Sequence, residues 1–542
     1  MQGQMMQLPL SISALIVHAA TCHGDTEIVS RSVEGGMHRT TYAEAHRRAR
    51  RMASALTRLG VGMGERVGTL AWNGYRHFEL YFAISGMGAV LHTINPRLFP
   101  EQLAYIVNHA EDRYVFFDLT FVPLIEAIAP KCPNVAGWVA MTDRAHLPQM
   151  QIRGVLCYED LLAAESDDYI WPAFDEATAS SLCYTSGTTG NPKGVLYSHR
   201  STLLHAYAIA LPDAFNLSAC DSVLPVVPMF HVNAWGLPYA ACAVGCKLVF
   251  PGPALDGRSL YELMEVEQVT ASAGVPTVWM GLLAHVRQNG LKFSSLRRTV
   301  VGGAACPPAM IQSFQDQYGV SVLHAWGMTE LSPLGTLNTF KRKHATLSPA
   351  ERLALQAKQG RPIFGVNLRI TDAGGKGLPH DGITFGNLEV KGPWIVREYY
   401  RGEGGNTLTA DGWFPTGDVA TVDADGYVQI TDRSKDVIKS GGEWISSIEL
   451  ENTAVAHPAI AEAAVIGVPH PKWDERPLLI AVRKPNMQVG REELLKFFDG
   501  RVAKWCIPDD VVFVEQLPHT GTGKLLKIKL REEYRNYRLP IA

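Results

Sequence analysis

The ten residues TSGTTGNPKG at positions 185–194 follow directly on the apolar, strand-like run SLCY at 181–184. Thr185, Ser186, Thr188 and Thr189 supply hydroxyls, Gly187, Gly190 and Gly194 supply backbone freedom, and Lys193 is the single charge. Glycine admits positive φ and close backbone approach, while hydroxyls and free N–H groups donate to anionic oxygens and a lysine adds attraction. A strand running into such a turn is suited to cradling phosphate. A flexible surface loop is the plainer alternative. The Walker A pattern fails, because Pro192 precedes the lysine and Gly194 follows it.

Working outward from this loop, short apolar β-type runs at 66–72, 89–93, 114–117 and 137–141 alternate with helical patterns such as 101–109, as in an α/β sheet. Residues 41–59 carry apolar side chains at helical spacing with arginines opposite, and Gly60 and Gly62 stop them. The apolar stretch 8–17 also reads as a helix, with no basic residue before Arg31 to make it a secretory signal. Beyond the loop a second series of strands is expected at 248–250, 270–273, 298–301 and 320–325, then short, glycine-rich strands over 367–396. The uncharged stretch 224–246 holds Pro225, Pro228, His231, Asn233 and Pro238, which suit core strands and turns better than a bilayer helix. No repeat of fixed period is present. At 434–442, SKDVIKSGG has the polarity of a hinge, and a smaller series follows at 449–456, 460–468, 478–482, 492–502 and 511–514. The expected organisation is a large domain over 1–432, with α/β sheets and a β-rich part, and a small mobile α+β domain over 433–542.

Composition narrows the function. The 542 residues, 46% hydrophobic and 19% charged, are enough for several domain-sized cores and exclude a disordered or collagen-like chain. Lys plus Arg (50) against Asp plus Glu (53) gives −3, and no long like-charge run appears, so nucleic acid and anionic lipid are not indicated as partners. Nine cysteines, odd in number and without a CxxC pair, point to reduced thiols in a cytosol and away from a zinc site. A small-molecule partner is expected.

TSGTTGNPKG, HAWGMTE (324–330), GWFPTGD (412–418), DRSKDVIKSGGEWIS (432–446) and TGTGK (520–524) occur in the order found in the adenylate-forming enzymes. The chain resembles this superfamily of acyl-CoA synthetases, luciferase and peptide-synthetase adenylation domains over nearly its whole length. Within it the likeness is greatest to the bacterial medium-chain fatty acyl-CoA ligases and their relative acting on 3-methylthiopropionate; Trp444, where many relatives carry Asn, points to that branch.

The resemblance implies an ATP-dependent acyl-CoA ligase that is a cytoplasmic homodimer, with Mg²⁺ and with CoA as co-substrate. The 185–190 loop and Lys193 would hold phosphates, and Thr185 and Glu330 match the Mg²⁺ positions, oxygen donors being what a hard cation prefers. Asp418 matches the ribose-binding carboxylate and Arg433 a second ribose or phosphate contact. Gly303, Ala304, Ala305, His324, Ala325, Trp326, Gly327, Met328 and Thr329 match the strand ends around adenine; core packing is the other reading of Trp326. Lys524 matches the lysine that bridges α-phosphate and acyl carboxylate. His231 matches the gate to the acyl pocket, otherwise a core histidine, and Val232, Trp235, Gly302, Pro333 and Leu334 match its walls. Trp235 would fill depth that a long chain needs, which favours short to medium acids. Lys435 matches the hinge, and Gly441, Gly442, Glu443 and Trp444 the pantetheine tunnel. A ligase loading a carrier protein, an oxygenase of luciferase type and a non-enzymatic nucleotide-binding protein are the alternatives.

Overall fold

The computed structural model describes residues 1, 3–185, 191–433, 436–440, 443–519 and 525–540. Among the described residues, parallel strands make the centre of two large sheets. One runs Leu156–Cys157, Gly137–Ala140, Asp112–Phe117, Arg66–Leu70, Val90–Thr93, Ala179–Tyr184, and ends on the antiparallel Gly194–Ser198. The other has Ser321–Gly327, Arg298–Val301, Ala271–Gly274, Ser222–Pro225, Lys247–Phe250 and Glu27–Arg31 in parallel, with antiparallel strands at both edges.

The strands are apolar on both sides because both faces are covered. Tyr114 and Phe116 face the core between the two sheets, whereas Val115 and Phe117 face a second core under the helices Pro100–Ala110 and Val122–Ile128. In the other sheet Leu248 and Phe250 point into the shared core and Val249 into a third core with Trp279 and Phe314. The helices Ile12–Cys22, Tyr42–Arg58, Tyr75–Gly86, His199–Ala210 and Leu237–Val244 therefore lie between the sheets.

Helix limits follow from local chemistry. Tyr42–Arg58 starts where the Thr41 hydroxyl accepts from Glu44 N, and Gly60, at φ +81°, turns the chain after it. The first helix begins at Ile12, later than the apolar run suggested, because residues 8–10 cross the surface and Ile12 N bonds His199 Nδ1 at 3.0 Å. The stretch 224–246 also departs from expectation: besides a strand and turns it forms the helix Leu237–Val244, with Pro238 in its first turn, where a missing N–H costs nothing. Among the described residues no helix is long and apolar enough to cross a membrane. All nine cysteines are free; Cys22 and Cys220 are exposed and the rest buried.

An antiparallel sheet of Asn367–Thr371, Gly386–Lys391, Phe414–Val422 and Val428–Arg433 follows. A separate sheet is then built from Glu443–Ile445, Ile438–Ser440, Asp474–Arg483, Ile460–His470 and Asp510–Val514, with its own cores on two faces. The chain thus forms a large N-terminal domain and a smaller C-terminal one.

Candidate active site

The parallel strands of the second sheet end on one cleft of about 560 Å³. Val226 and Val227 follow Ser222–Pro225, Val275 follows Ala271–Gly274, Gly302 and Gly303 follow Arg298–Val301, and Ala325 to Glu330 close the next strand. Ligands of open α/β sheets bind at such carboxyl ends. The C-terminal domain covers the cleft with Leu525, Leu526, Lys527, Ile528 and Arg531.

The 185–194 segment caps the antiparallel pair Ala179–Tyr184 and Gly194–Ser198, in which Tyr184 stands opposite Gly194. Its base is pinned twice: Thr185 N donates to Lys193 O at 2.9 Å, and Lys193 N donates to Thr185 Oγ1 at 3.3 Å. Thr185 lines the cleft. Residues 186–190 lie outside the described residues.

Glu330 is buried and lines the same cleft. The Tyr399 hydroxyl donates to its Oε1 at 2.8 Å, and Lys193 Nζ sits 4.9 Å from the Tyr399 ring centre. Burial and then the charge of Glu330 raise the pKa of Tyr399, so the phenol stays protonated and keeps donating. Asp418 is fixed by two side chains: Trp326 Nε1 donates to Oδ2 at 2.8 Å, and Arg433 Nε approaches Oδ1 at 2.8 Å. Trp326 therefore both walls the cleft and orients a carboxylate.

His324 sits within its strand as a structural tie. Its buried ring ties two segments of chain together, Nδ1 donating to Ala357 O at 3.0 Å and Nε2 accepting from Cys306 N at 3.2 Å. Burial depresses its pKa to about 4, so it is neutral. His324, Ala304 and Ala305 do not line the cleft, whereas Gly302, Gly303, Ala325, Trp326, Gly327, Met328 and Thr329 do.

His231, Val232, Trp235, Pro333 and Leu334 line one end of the cleft. After His231 the backbone enters a left-handed turn, with φ of 49°, 50°, 49°, 56° and 78° from Val232 to Gly236. For L-residues that conformation costs about 1–2 kcal/mol each. The turn brings the Trp235 indole over Gly302, where a Cβ would lie 3.0 Å from Trp235 Cη2 and 3.2 Å from Ala325 O. Behind it, His205 accepts from Leu334 N at 3.2 Å and abuts Gly236, whose added Cβ would be 2.8 Å from the ring.

Burial lowers the pKa of His205 to about 3. As pH falls below 6.5, the unfolded chain binds a proton here that the folded one refuses, so wild type loses stability through this group. His205→Gln should be less stable at neutral pH, and the gap should narrow by about 2 kcal/mol between pH 6.5 and 5, read by denaturant unfolding. A gap independent of pH would mean that the folded chain takes up a proton at His205 as readily as the unfolded one.

Sequence reading assigned Lys527 nothing, yet it is a buried cation on the cleft wall. It pairs with Glu451 at 2.6 Å and donates to Ser447 Oγ. Burial opposes its charge, but Glu451 and Asp432 outweigh this and hold its pKa above the usual value. Asp432 accepts from Ser447 N at 2.8 Å and Asp436 pairs with Arg531, while Arg433 reaches back to Asp418. The chain thus crosses between domains under several polar ties. Tyr399, His205 and Asn233 were also missed, as partners acting from behind the cleft surface.

Lys435, Gly441, Gly442 and Lys524 lie outside the described residues. Glu443 and Trp444 belong to the strand Glu443–Ile445, opposite Ser440 and Lys439. The 520–524 loop is closed at its base, where His519 bridges Leu525 and Leu526 N donates to Pro518 O at 2.8 Å, and Leu525 and Leu526 face the cleft.

Residues 16–400 match the family described as AMP-binding enzyme, and 449–524 its C-terminal domain. The chain belongs to the AMP-binding enzyme family. It is 58% identical over 536 residues to the 3-methylmercaptopropionyl-CoA ligase of Ruegeria lacuscaerulensis, covering 99% of both chains. It is 56% identical over 534 residues to the medium-chain-fatty-acid–CoA ligase of Ectopseudomonas oleovorans, covering 98% of each. An anthranilate CoA ligase, AuaEII, solved with anthranoyl-AMP, superposes with a TM-score of 0.86 at 26% identity, over 98% of this chain and 99% of that one. The fold is that of the adenylate-forming enzymes in both domains.

Proposed function

We propose that this AMP-binding enzyme is an acid–thiol ligase that joins a short- to medium-chain carboxylic acid to CoA through an acyl-adenylate. The observation that carries the reading is the convergence on one cleft of the phosphate-loop base, Glu330, Trp326 and Arg433 with Asp418 held between them, the acyl end at Trp235 and the flank of the Lys524 loop. Near-complete alignment with two curated CoA ligases supports it.

In the first half-reaction an acid oxygen attacks the α-phosphorus of ATP, the bond to pyrophosphate breaks, and acyl-AMP forms. In the second, the CoA sulfur attacks the acyl carbon, the thiol proton is released, and AMP leaves with the C–O electron pair. The loop at 185–190 and Lys193 hold phosphate, Asp418 takes ribose hydroxyls with Arg433 beside it, and Trp326 stacks along the base. Lys524 neutralises the charge that builds between α-phosphate and carboxylate. His231 flanks the entering carboxylate. For the thioester step the C-terminal domain turns about Lys435 and brings Gly441, Gly442, Glu443 and Trp444 to the pantetheine path.

The Thr185 hydroxyl and Glu330 carboxylate are hard oxygen donors on one cleft, a set that fits magnesium. Among the described residues no group of three potential ligands occurs, so a magnesium ion here would draw its other ligands from ATP phosphates and water. When bound it would neutralise phosphate charge. The reduced cysteines fit a cytoplasmic enzyme. A homodimer is the proposed assembly, by analogy with the family, and light scattering reads it.

AMP release that requires both acid and CoA tests this reading; release supported by a carrier protein instead of CoA would overturn it. The 58% relative makes 3-methylthiopropionate the first acid to try. Trp235→Ala should shift preference towards longer acids, since each newly buried methylene contributes about 0.8 kcal/mol. The kcat/KM ratios for butanoate, 3-methylthiopropionate, hexanoate and octanoate read it, and equal loss on all four would make Trp235 core packing.

A further inference from the structure

Four consecutive L-residues in the left-handed region persist only where their surroundings over-determine them. Behind the turn the fixing group is Asn233. Its amide nitrogen donates to Ser181 Oγ at 2.9 Å, and its oxygen accepts from the Cys183 thiol at 3.5 Å, with Thr93 Oγ1 3.2 Å from the same sulfur. Asn233 is 4% exposed, Ser181 0% and Cys183 1%. Ser181 and Cys183 stand on the strand Ala179–Tyr184, whose next residue, Thr185, opens the phosphate loop.

We propose that Asn233 is a positioning residue for acid selectivity: it locks the left-handed turn, and so sets the depth at which Trp235 closes the acyl pocket. Asparagine suits both demands, since it tolerates positive φ better than most L-residues and offers a donor and an acceptor together. Losing either partner would strand a buried polar group, so the turn would relax and the indole move. The tie also sets the acyl end in register with the strand that carries the phosphate loop. This inference rests on the reading of Trp235 as the acyl-pocket wall.

The test compares wild type, Asn233→Leu, Ser181→Ala and Trp235→Ala by kcat/KM for butanoate, 3-methylthiopropionate, hexanoate and octanoate, by KM for ATP, and by far-UV circular dichroism. Asn233→Leu should raise the octanoate-to-butanoate ratio by about tenfold with KM for ATP held. Ser181→Ala, which removes a single hydroxyl, should shift the ratio in the same direction by less, and it decides the matter if the Leu variant does not fold. Unchanged ratios in the folded variants, with Trp235→Ala shifting them, would overturn the positioning role alone. Unchanged ratios in Trp235→Ala would overturn the pocket reading, and this inference with it.

Discussion

Lys524→Ala should lower acyl-adenylate formation by on the order of a hundredfold or more, while CoA thioester formation from supplied acyl-AMP stays close to wild type. The asymmetry follows from where the charge is needed. Attack on the α-phosphorus builds negative charge between phosphate and carboxylate, and a lysine aimed there stabilises the transition state more than the ground state. The loop that carries Lys524 returns to the chain at Leu525, which faces the cleft and bridges His519. Leu525 lines the same cleft as Thr185 and Glu330. Rapid-quench assays of the two half-reactions check it. Equal loss in both would assign Lys524 to the fold of the C-terminal domain.

Glu330→Gln should reduce adenylation by a similar order and raise the magnesium concentration needed for half-maximal rate. The exchange keeps shape but removes the charge that a hard cation prefers. Tyr399→Phe tests the same site from behind. It deletes the hydroxyl that donates to Glu330 Oε1 at 2.8 Å, and loss of such an orienting partner is expected to cost about 10–100-fold in metal affinity. Magnesium titrations at saturating ATP separate the outcomes. If both variants lose rate at every magnesium concentration without a shift in requirement, Glu330 acts in packing or nucleotide binding.

The parallel strands were legible because a strand buried on both faces must be a short apolar run, as at 114–117 and 248–250, and turn residues bound each run. The register that aims their ends at one cleft was not, since pairing joins residues far apart in sequence, such as Val223 and Ala271. Motif spacing singled out Thr185, Glu330, Asp418 and Trp326 as candidates, but it could not show that Trp326 and Arg433 hold Asp418 between them. The same holds for His324, a histidine inside a site motif whose ring bonds Ala357 and Cys306. The residues that act from behind, Tyr399, His205 and Asn233, sit outside any glycine-rich pattern and leave no local signal. The left-handed turn at 232–236 has only Asn233 to signal it before Gly236, since valine, alanine and tryptophan disfavour that conformation. Lys527 and Arg531, one helical turn apart, resemble a solvated face until the Glu451 and Asp436 carboxylates are seen beside them.

Acid-dependent exchange of labelled pyrophosphate into ATP, in the absence of CoA, addresses the adenylate intermediate most directly. The enzyme should catalyse exchange with 3-methylthiopropionate or a medium-chain acid alone, the exchange should vanish in Lys524→Ala, and adding CoA should discharge the intermediate with release of AMP. Exchange that is absent until CoA is present, or release of ADP and phosphate in place of AMP and pyrophosphate, would contradict the account.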